Sequence, residues 1–522
     1  MSNWQNENDT SNGFKHRTRT FYACSIGFAG YVGATVCLVT LQSSINVKND
    51  LGPKSLFICF ICGFGGIFTA PYVLKRFGPK VTLIAGEIIA SSYTLANFYP
   101  RWFTMFPTAG LSGLISSSFT WSASAVIVHR VATAELTNKI GNQADIATQK
   151  YFGIFLGILA FGQIFCNGVT VLILMFFNDY MFPITQQSDT QISNATAYTP
   201  VSEYTTMNFS IIDISQCGSR DCPSEYAFSD SNKLAAFVPG QTTRNVLLIW
   251  YLIMQLGAAL LHFMLMDSIA DDFPSQIVDV SRNEEESPTQ TLLNKPKENV
   301  HWLFKSIKIS FIYLTSLQGI LSAPVYLLYG LTVSFIWSEF SRAFVTCIVG
   351  LSQVGITSAL IELIAFVVSM AISRCASTFG MFHIFVFGLC FDVAMYLVVL
   401  LWAPTVSTSY LVYIVALMFG ITHAVRRNTQ YLTTSAFCPD KEIGFTLQNV
   451  IGGMGLMLTY SWTTAFCVDV KIYVMIGVVV ITTVLWMFSY RIYKQKKLRL
   501  LFWQHYLNIS RVKTTHDIVY SF

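Results

Sequence analysis

Charge is what this chain has least of. Only 12% of its residues are Asp, Glu, Lys or Arg, against 53% hydrophobic, and a soluble domain carries roughly twice that share of charge. A water-soluble globular fold is excluded. The scarcity is also organised. Between Arg19 and Lys48, Lys54 and Lys75, Arg101 and His129, Lys150 and Asp179, Arg244 and Asp267, Lys308 and Glu339, Glu442 and Asp469, and Lys471 and Arg491 there is no acidic residue, lysine or arginine. Each gap is long enough for a helix to cross a bilayer core, which takes about 20 apolar residues. Three further gaps hold one carboxylate each, Glu87, Glu362 and Asp392, and the last of them is long enough for two spans broken at Ala403 and Pro404. The reading is an all-α membrane protein with twelve transmembrane helices in two six-helix bundles.

Other absences narrow the function. Residues 1 to 20 are polar, so no cleavable signal peptide precedes the first span, and that span is expected to act as the insertion signal. The sequence shows no metal-ligand cluster, phosphate loop or catalytic triad, so neither an enzyme nor a cofactor is expected. The net charge of +5 suggests a nucleic-acid partner only until the charges are placed on the topology. Of 33 Lys and Arg residues, eight fall on one side of the membrane (Lys48, Lys54, Arg101, Arg220, Lys233, Arg244, Arg342 and Lys471), leaving 25 for the side of the amino terminus. By the positive-inside rule both termini are then cytoplasmic. Membrane lipid, not nucleic acid, is the expected partner.

Two long polar segments punctuate the spans. After a tail (1–20) and a first six-helix bundle (21–266), a linker (267–308) rich in Asp, Glu, Pro and Lys leads to a second bundle (309–490) and a basic tail (491–522) suited to anionic cytoplasmic lipid. The outer loop of the first bundle, 178–244, holds Asn194-Ala-Thr196 and Asn208-Phe-Ser210, expected glycosylation acceptors. It also holds Cys217 and Cys222, the two of twelve cysteines well away from a predicted span. In an oxidising compartment these read as one small disulfide ring, with a pair of free thiols as the alternative. The other ten cysteines read as small apolar helix residues.

Chemistry inside the spans rests on Glu87, Glu362 and Asp392, with His262, His383 and His423. A charge there costs on the order of 2.5–3.5 kcal/mol, so these groups face the interior or are neutral. A proton-coupled site and single structural hydrogen bonds are both open readings. No span-embedded arginine or lysine is expected to pair with the carboxylates. Gly27, Gly30 and Gly33 make a smooth ridge for close helix packing.

The stretch Leu74-Lys-Arg-Phe-Gly-Pro-Lys80 resembles the short cytoplasmic loop of major facilitator transporters, with Arg76, Gly78 and Lys80 matching its core. Lys75 stands where that loop carries an aspartate, so the usual charge clasp is expected to be missing or altered. A closer resemblance covers residues 21 to 490. The chain carries in order Leu41-Gln42-Ser43-Ser44-Ile45-Asn46, Asn97-Phe98-Tyr99, Trp121-Ser122-Ala123, Tyr151-Phe152-Gly153-Ile154-Phe155, Cys217-Gly-Ser-Arg-Asp-Cys222, Arg342-Ala-Phe-Val-Thr-Cys347 and Cys467-Val-Asp-Val-Lys-Ile-Tyr473. The ordered set resembles the Unc (uncoordinated-ninety-three) family, A-type branch, which has the major facilitator fold. That resemblance implies an accessory subunit regulating a two-pore potassium channel, resident in the plasma membrane or in endolysosomes. A secondary transporter of a small solute and a trafficking escort for membrane receptors are the competing readings. Gln42, Ser43, Ser44 and Asn46 are equally suited to holding the fold or touching a partner.

Overall fold

The computed structural model describes residues 2–46, 51–134, 143–176, 217–222, 240–266, 296–349, 353–375, 378–438, 440–462 and 466–519. In chain order the helices are α1 (Ser2–Ile45), α2 (Leu51–Gly63), α3 (Gly66–Ala90), α4 (Ser92–Ala96), α5 (Trp102–Ile115), α6 (Trp121–Ala134), α7 (Gln143–Phe176) and α8 (Gln241–Leu265). They continue as α9 (Pro296–Thr315), α10 (Leu317–Phe335), α11 (Cys347–Val349), α12 (Gln353–Arg374), α13 (Met381–Leu401), α14 (Leu411–Phe437), α15 (Lys441–Trp462) and α16 (Val468–Val519). π-helical turns at Ser116–Thr120 and Ile336–Thr346 weld α5 to α6 and α10 to α11.

Among the described residues, eight helical stretches are long and apolar enough to cross a membrane: His16–Gln42, Trp102–Ala134, Ile146–Phe176, Gln241–Leu265, Leu317–Val349, Gln353–Arg374, Met381–Leu401 and Val468–Lys496. Each fills one of the charge-poor gaps. The remaining gaps also contain helices, but these fall short for visible reasons. α2 has 13 residues, α3 carries Lys75, Arg76, Lys80 and Glu87, α14 carries Arg426 and Arg427, and α15 is diluted by Gly, Thr, Gln and Asn.

α3 is not one rod. Gly78 has φ 76° and ψ 160°, a region that only glycine occupies without strain, and Pro79 cannot donate a helical hydrogen bond. Gly66 packs against Ser118, and Gly86 packs against Thr120 of the same π turn. Twenty residues of straight helix would hold those contacts about 30 Å apart, so the chain doubles back at Gly78. Arg76, Gly78 and Lys80 therefore occupy the tip of a one-residue hairpin.

Two segments read as tails or linker are helical. Residues 296–308 begin α9 and the basic end continues α16 to Val519. Pro296 starts α9 where its missing N–H costs nothing.

The described hydrophobic core forms two large clusters. One gathers Phe28, Phe152, Phe155 and Leu159 from early helices; the other gathers Phe335, Phe344, Tyr396 and Phe419 from later ones. They meet along α7 and α12, where a Cβ on Gly153 would sit 2.8 Å from the Ser373 side chain and 2.9 Å from the Ser369 carbonyl. Glycine is what allows that backbone approach.

Candidate functional site

A cavity of about 220 Å³ lies between early and late helices, lined among others by Trp121, Gln163, Tyr329, Trp337, Glu362, His423, Arg427 and Gln448. α14 supplies His423 and Arg427 one helical turn apart, on one face. Glu362 comes from α12 and lies 3.9 Å from His423 Nε2. The Gln163 carboxamide on α7 sits 2.6 and 2.9 Å from the two Glu362 oxygens, an approach that its NH2 group satisfies by donating to both. Tyr329 stacks on the His423 ring at 5.8 Å. The Arg427 guanidinium lies 5.4 Å above the Trp121 ring, a cation–π contact that keeps a buried cation tolerable. Asn449 closes the rim by donating to Ser122 Oγ at 3.3 Å.

The three intramembrane carboxylates stand apart, each with its own cationic or titratable neighbour. Glu87 is fully buried and meets His262 Nδ1 at 2.8 Å, while His262 Nε2 faces the Cys24 carbonyl at 3.3 Å. As an ion pair or as two neutral groups the dyad has no net charge, which suits a fully buried site. Asp392 pairs with Arg426, whose guanidinium also lies 5.5 Å from the Phe385 ring. The expectation that no span-embedded arginine or lysine pairs with the carboxylates is therefore wrong. Arg426 and Arg427 read in sequence as the charged end of a span, yet both are buried within α14, where Asp392, Phe385 and Trp121 take the place of water. Of these carboxylates the cavity contains Glu362 only. His383 lies outside it, at the start of α13 beside Phe382.

At one end of the bundle the Cys217–Cys222 ring is overturned. Cys217 is bonded to Cys347 and Cys222 to Cys467. Nearness in sequence suggested the ring, but the short 3-10 turn Gly218–Arg220 is seated on the ends of late helices, so each cysteine meets a distant partner first. Asp221 pairs with Arg342 at 2.7 Å, Arg342 reaches Glu339 at 3.3 Å, and Glu339 meets Lys471 at 2.8 Å with both groups fully buried. Burial pushes the Asp221 carboxyl above its ordinary pKa and Glu339 adds to that, against the pull of Arg342 and Lys471. Cys347 and Cys467 thus do more than fill helices. Both stand in stretches quoted above for the resemblance, and that was the available signal.

At the opposite, basic end, Lys75 pairs with Asp440 and Arg130 with Glu442 at 2.8 Å. His129 Nδ1 faces Ser435 Oγ at 3.0 Å, and Gln149 donates to the Phe379 carbonyl at 2.9 Å. Lys80 donates to the Met266 carbonyl. The lysine in the aspartate's place does not abolish the clasp; it reverses its sign, and Asp440 answers it.

Three of the motif residues bond to one another. Gln42 donates to Asn97 Oδ1 at 2.9 Å, Asn46 donates to Gln42 Oε1 at 2.8 Å and to Asn97 Oδ1 at 2.6 Å, and all three are buried. The side chains of Ser43 and Ser44 lie outside the described residues, as do Asn194 and Asn208. Tyr99 is exposed beneath Arg101. Tyr151 packs edge-on to Phe21, and Phe152 stacks on Tyr431 at 5.0 Å across the early and late helices.

No protein-family model matches the chain. The chain is 24% identical over 466 residues to "Protein unc-93 homolog A" of Xenopus laevis, covering 89% of this chain and 91% of that one. The human protein of the same name is 23% identical over 472 residues, covering 89% and 92%. The resemblance to the Unc family holds along most of the chain. A Caenorhabditis elegans relative, unc-93, named as a candidate potassium channel regulatory protein, is 22% identical over 426 residues, which is 81% of this chain and 54% of the worm protein. Among solved structures, the human organic anion transporter MFSD10 superposes with a TM-score of 0.55 at 9% identity, covering 90% of this chain and 99% of that one. FucP in its outward conformation gives a TM-score of 0.55 at 12% identity, covering 90% and 97%. The chain has the fold of the major facilitator transporters, and it is an integral multi-pass membrane protein.

Proposed function

We propose that this chain is a non-enzymatic accessory subunit that modulates a potassium channel of the two-pore type. The observation carrying this reading is the similarity to the worm relative named for potassium channel regulation. In this reading twelve helices form two six-helix bundles, the basic end with both termini faces the cytoplasm, and the disulfide end with Asn194 and Asn208 faces outward from the plasma membrane. Apolar outer faces, such as Ile253, Leu260 and Phe263 on α8, are free to lie against lipid or a partner's spans. Such contact shifts a channel's open population only as far as it differs between open and closed states.

The test is co-expression with a two-pore potassium channel, measuring current per channel at the cell surface and co-purification after gentle solubilisation. A changed current with a near-stoichiometric complex is the expected result. Unchanged current with the protein isolated alone overturns the reading, and channels retained inside the cell without it favour an escort role instead.

A secondary transporter is the second reading, favoured by the cavity and by the breakable pairs Lys75–Asp440 and Arg130–Glu442. Alternating access exposes the site to each side in turn, and pairs of this kind let the basic end close and reopen. Proton-dependent uptake into proteoliposomes that is lost in Glu362→Gln would support it, and uptake equal to that of empty liposomes would rule it out.

A further inference from the structure

We infer that the cavity between the early and late helices binds a small molecule bearing a carboxylate, seated on Arg427 and Gln448. The inference goes beyond the regulatory reading and does not depend on it. Its basis is which polar groups around the cavity have partners and which have none.

Glu362 is served by Gln163 on both oxygens and approached by His423. Arg427 is in the opposite position. Its side chain makes no hydrogen bond to any described residue, its Nε is buried and unpaired, it lies over the face of Trp121, and Glu362 on the same cavity feels its charge without bonding to it. Gln448 uses its carbonyl oxygen to accept from Thr434 at 2.6 Å, while its Nε2 is buried without a partner. Arg427 is 4% exposed and Gln448 0%, and both line the cavity. Buried donors without acceptors are costly, and a guanidinium is a fixed fork of donors that matches the two oxygens of a carboxylate. Arg427 Nε and Gln448 Nε2 are thus vacant donors, which an anionic oxygen pair satisfies, while His423 Nδ1, also buried and unpaired on this wall, donates or accepts according to its tautomer.

The rest of the wall describes the body of the molecule. Phe60, Phe64, Tyr329 and Trp337 offer flat apolar surface, suited to an aromatic or aliphatic group a few carbons long. A cation is disfavoured by Arg427, and a neutral amide leaves the guanidinium half satisfied.

The probe is benzoate, with benzamide and benzylamine as neutral and cationic counterparts of the same shape. The full chain is purified in nanodiscs without any channel, and its thermal unfolding is followed against ligand concentration. Benzoate is expected to raise the melting temperature saturably, and the other two are not. Gln448→Glu keeps the acceptor for Thr434 while placing a carboxylate on the cavity wall that Arg427 also lines, so its unliganded melting should stay near that of the parent while benzoate affinity falls about tenfold or more, the usual scale of a charge-assisted hydrogen bond. Arg427→Lys, which keeps the charge and loses the fork, should fall in between. A benzoate shift matched by benzamide or benzylamine, no shift with benzoate, or unchanged affinity in Gln448→Glu overturns the proposal. None of these outcomes bears on the channel assay, so the two readings fail separately.

Discussion

The two ends of the helix bundle join early and late parts of the chain by opposite chemistry. At one end the Cys217–Cys222 segment is held by two disulfides and by the run of charges Asp221, Arg342, Glu339 and Lys471. At the other, Lys75–Asp440 and Arg130–Glu442 are partly exposed ion pairs. Loops of 130 and 245 residues are closed by the disulfides, and constraints of that length are each worth about 5 kcal/mol in the chain-entropy account. An exposed ion pair is worth about 0.2–1 kcal/mol. The lesson is one of division: the first end is set, and the second exchanges at thermal energies.

The largest effect expected from breaking this contrast is at the disulfides. Cys347→Ser with Cys467→Ser should lower the melting temperature more than any other change considered. Non-reducing peptide mapping of the parent should recover Cys217 joined to Cys347 and Cys222 joined to Cys467; a peptide holding a Cys217–Cys222 ring would defeat the assignment.

Next comes the buried pair beside them. Lys471→Met leaves Glu339 without its fully buried partner and should cost about 3–5 kcal/mol, whereas Lys471→Met combined with Glu339→Leu should recover much of that loss. Thermal unfolding of the two variants decides it, and equal losses would mean the charges matter less than the packing.

Gly78→Ala addresses the basic end. The positive φ should cost roughly 1–3 kcal/mol and shift the hairpin tip, read by the protease sensitivity of the Arg76–Lys80 stretch. No change in either measurement would count against a one-residue turn.

The smallest effect on stability, yet the most telling for the contrast, is Lys75→Glu. It should change melting by less than about 1 kcal/mol while separating the basic ends of the helices, as measured by spin-label distances between α3 and α15. Adding Asp440→Lys should restore the parental distances, and high salt should weaken both effects.

Much of the fold was legible because a bilayer imposes a one-dimensional rule: every long charge-free gap had to become a helix, and each did. The hairpin was legible too, since Gly78 and Pro79 are the residues that such a turn requires. What escaped was pairing between distant parts. Arg426 read as a span end because nothing in its own neighbourhood shows Asp392, 34 residues away. His423 and Arg427, four residues apart, share one face of α14, but that spacing does not show that Glu362 and Gln163 stand near His423. Gln42 and Asn46 donate to Asn97, 55 and 51 residues away, a pairing that their own neighbourhood does not show.

The crossed cysteines also impose an order of events on the ribosome. Cys222 leaves the translation machinery 245 residues ahead of Cys467, a wait of some tens of seconds at about 5–20 residues per second. Until Cys347 follows, 130 residues after Cys217, the thiol nearest to Cys222 in sequence is Cys217, the wrong one. Biogenesis must therefore either keep the two apart until Cys347 captures Cys217 or open a premature ring afterwards by exchange, so the maturation rate of this protein should track the supply of disulfide isomerase.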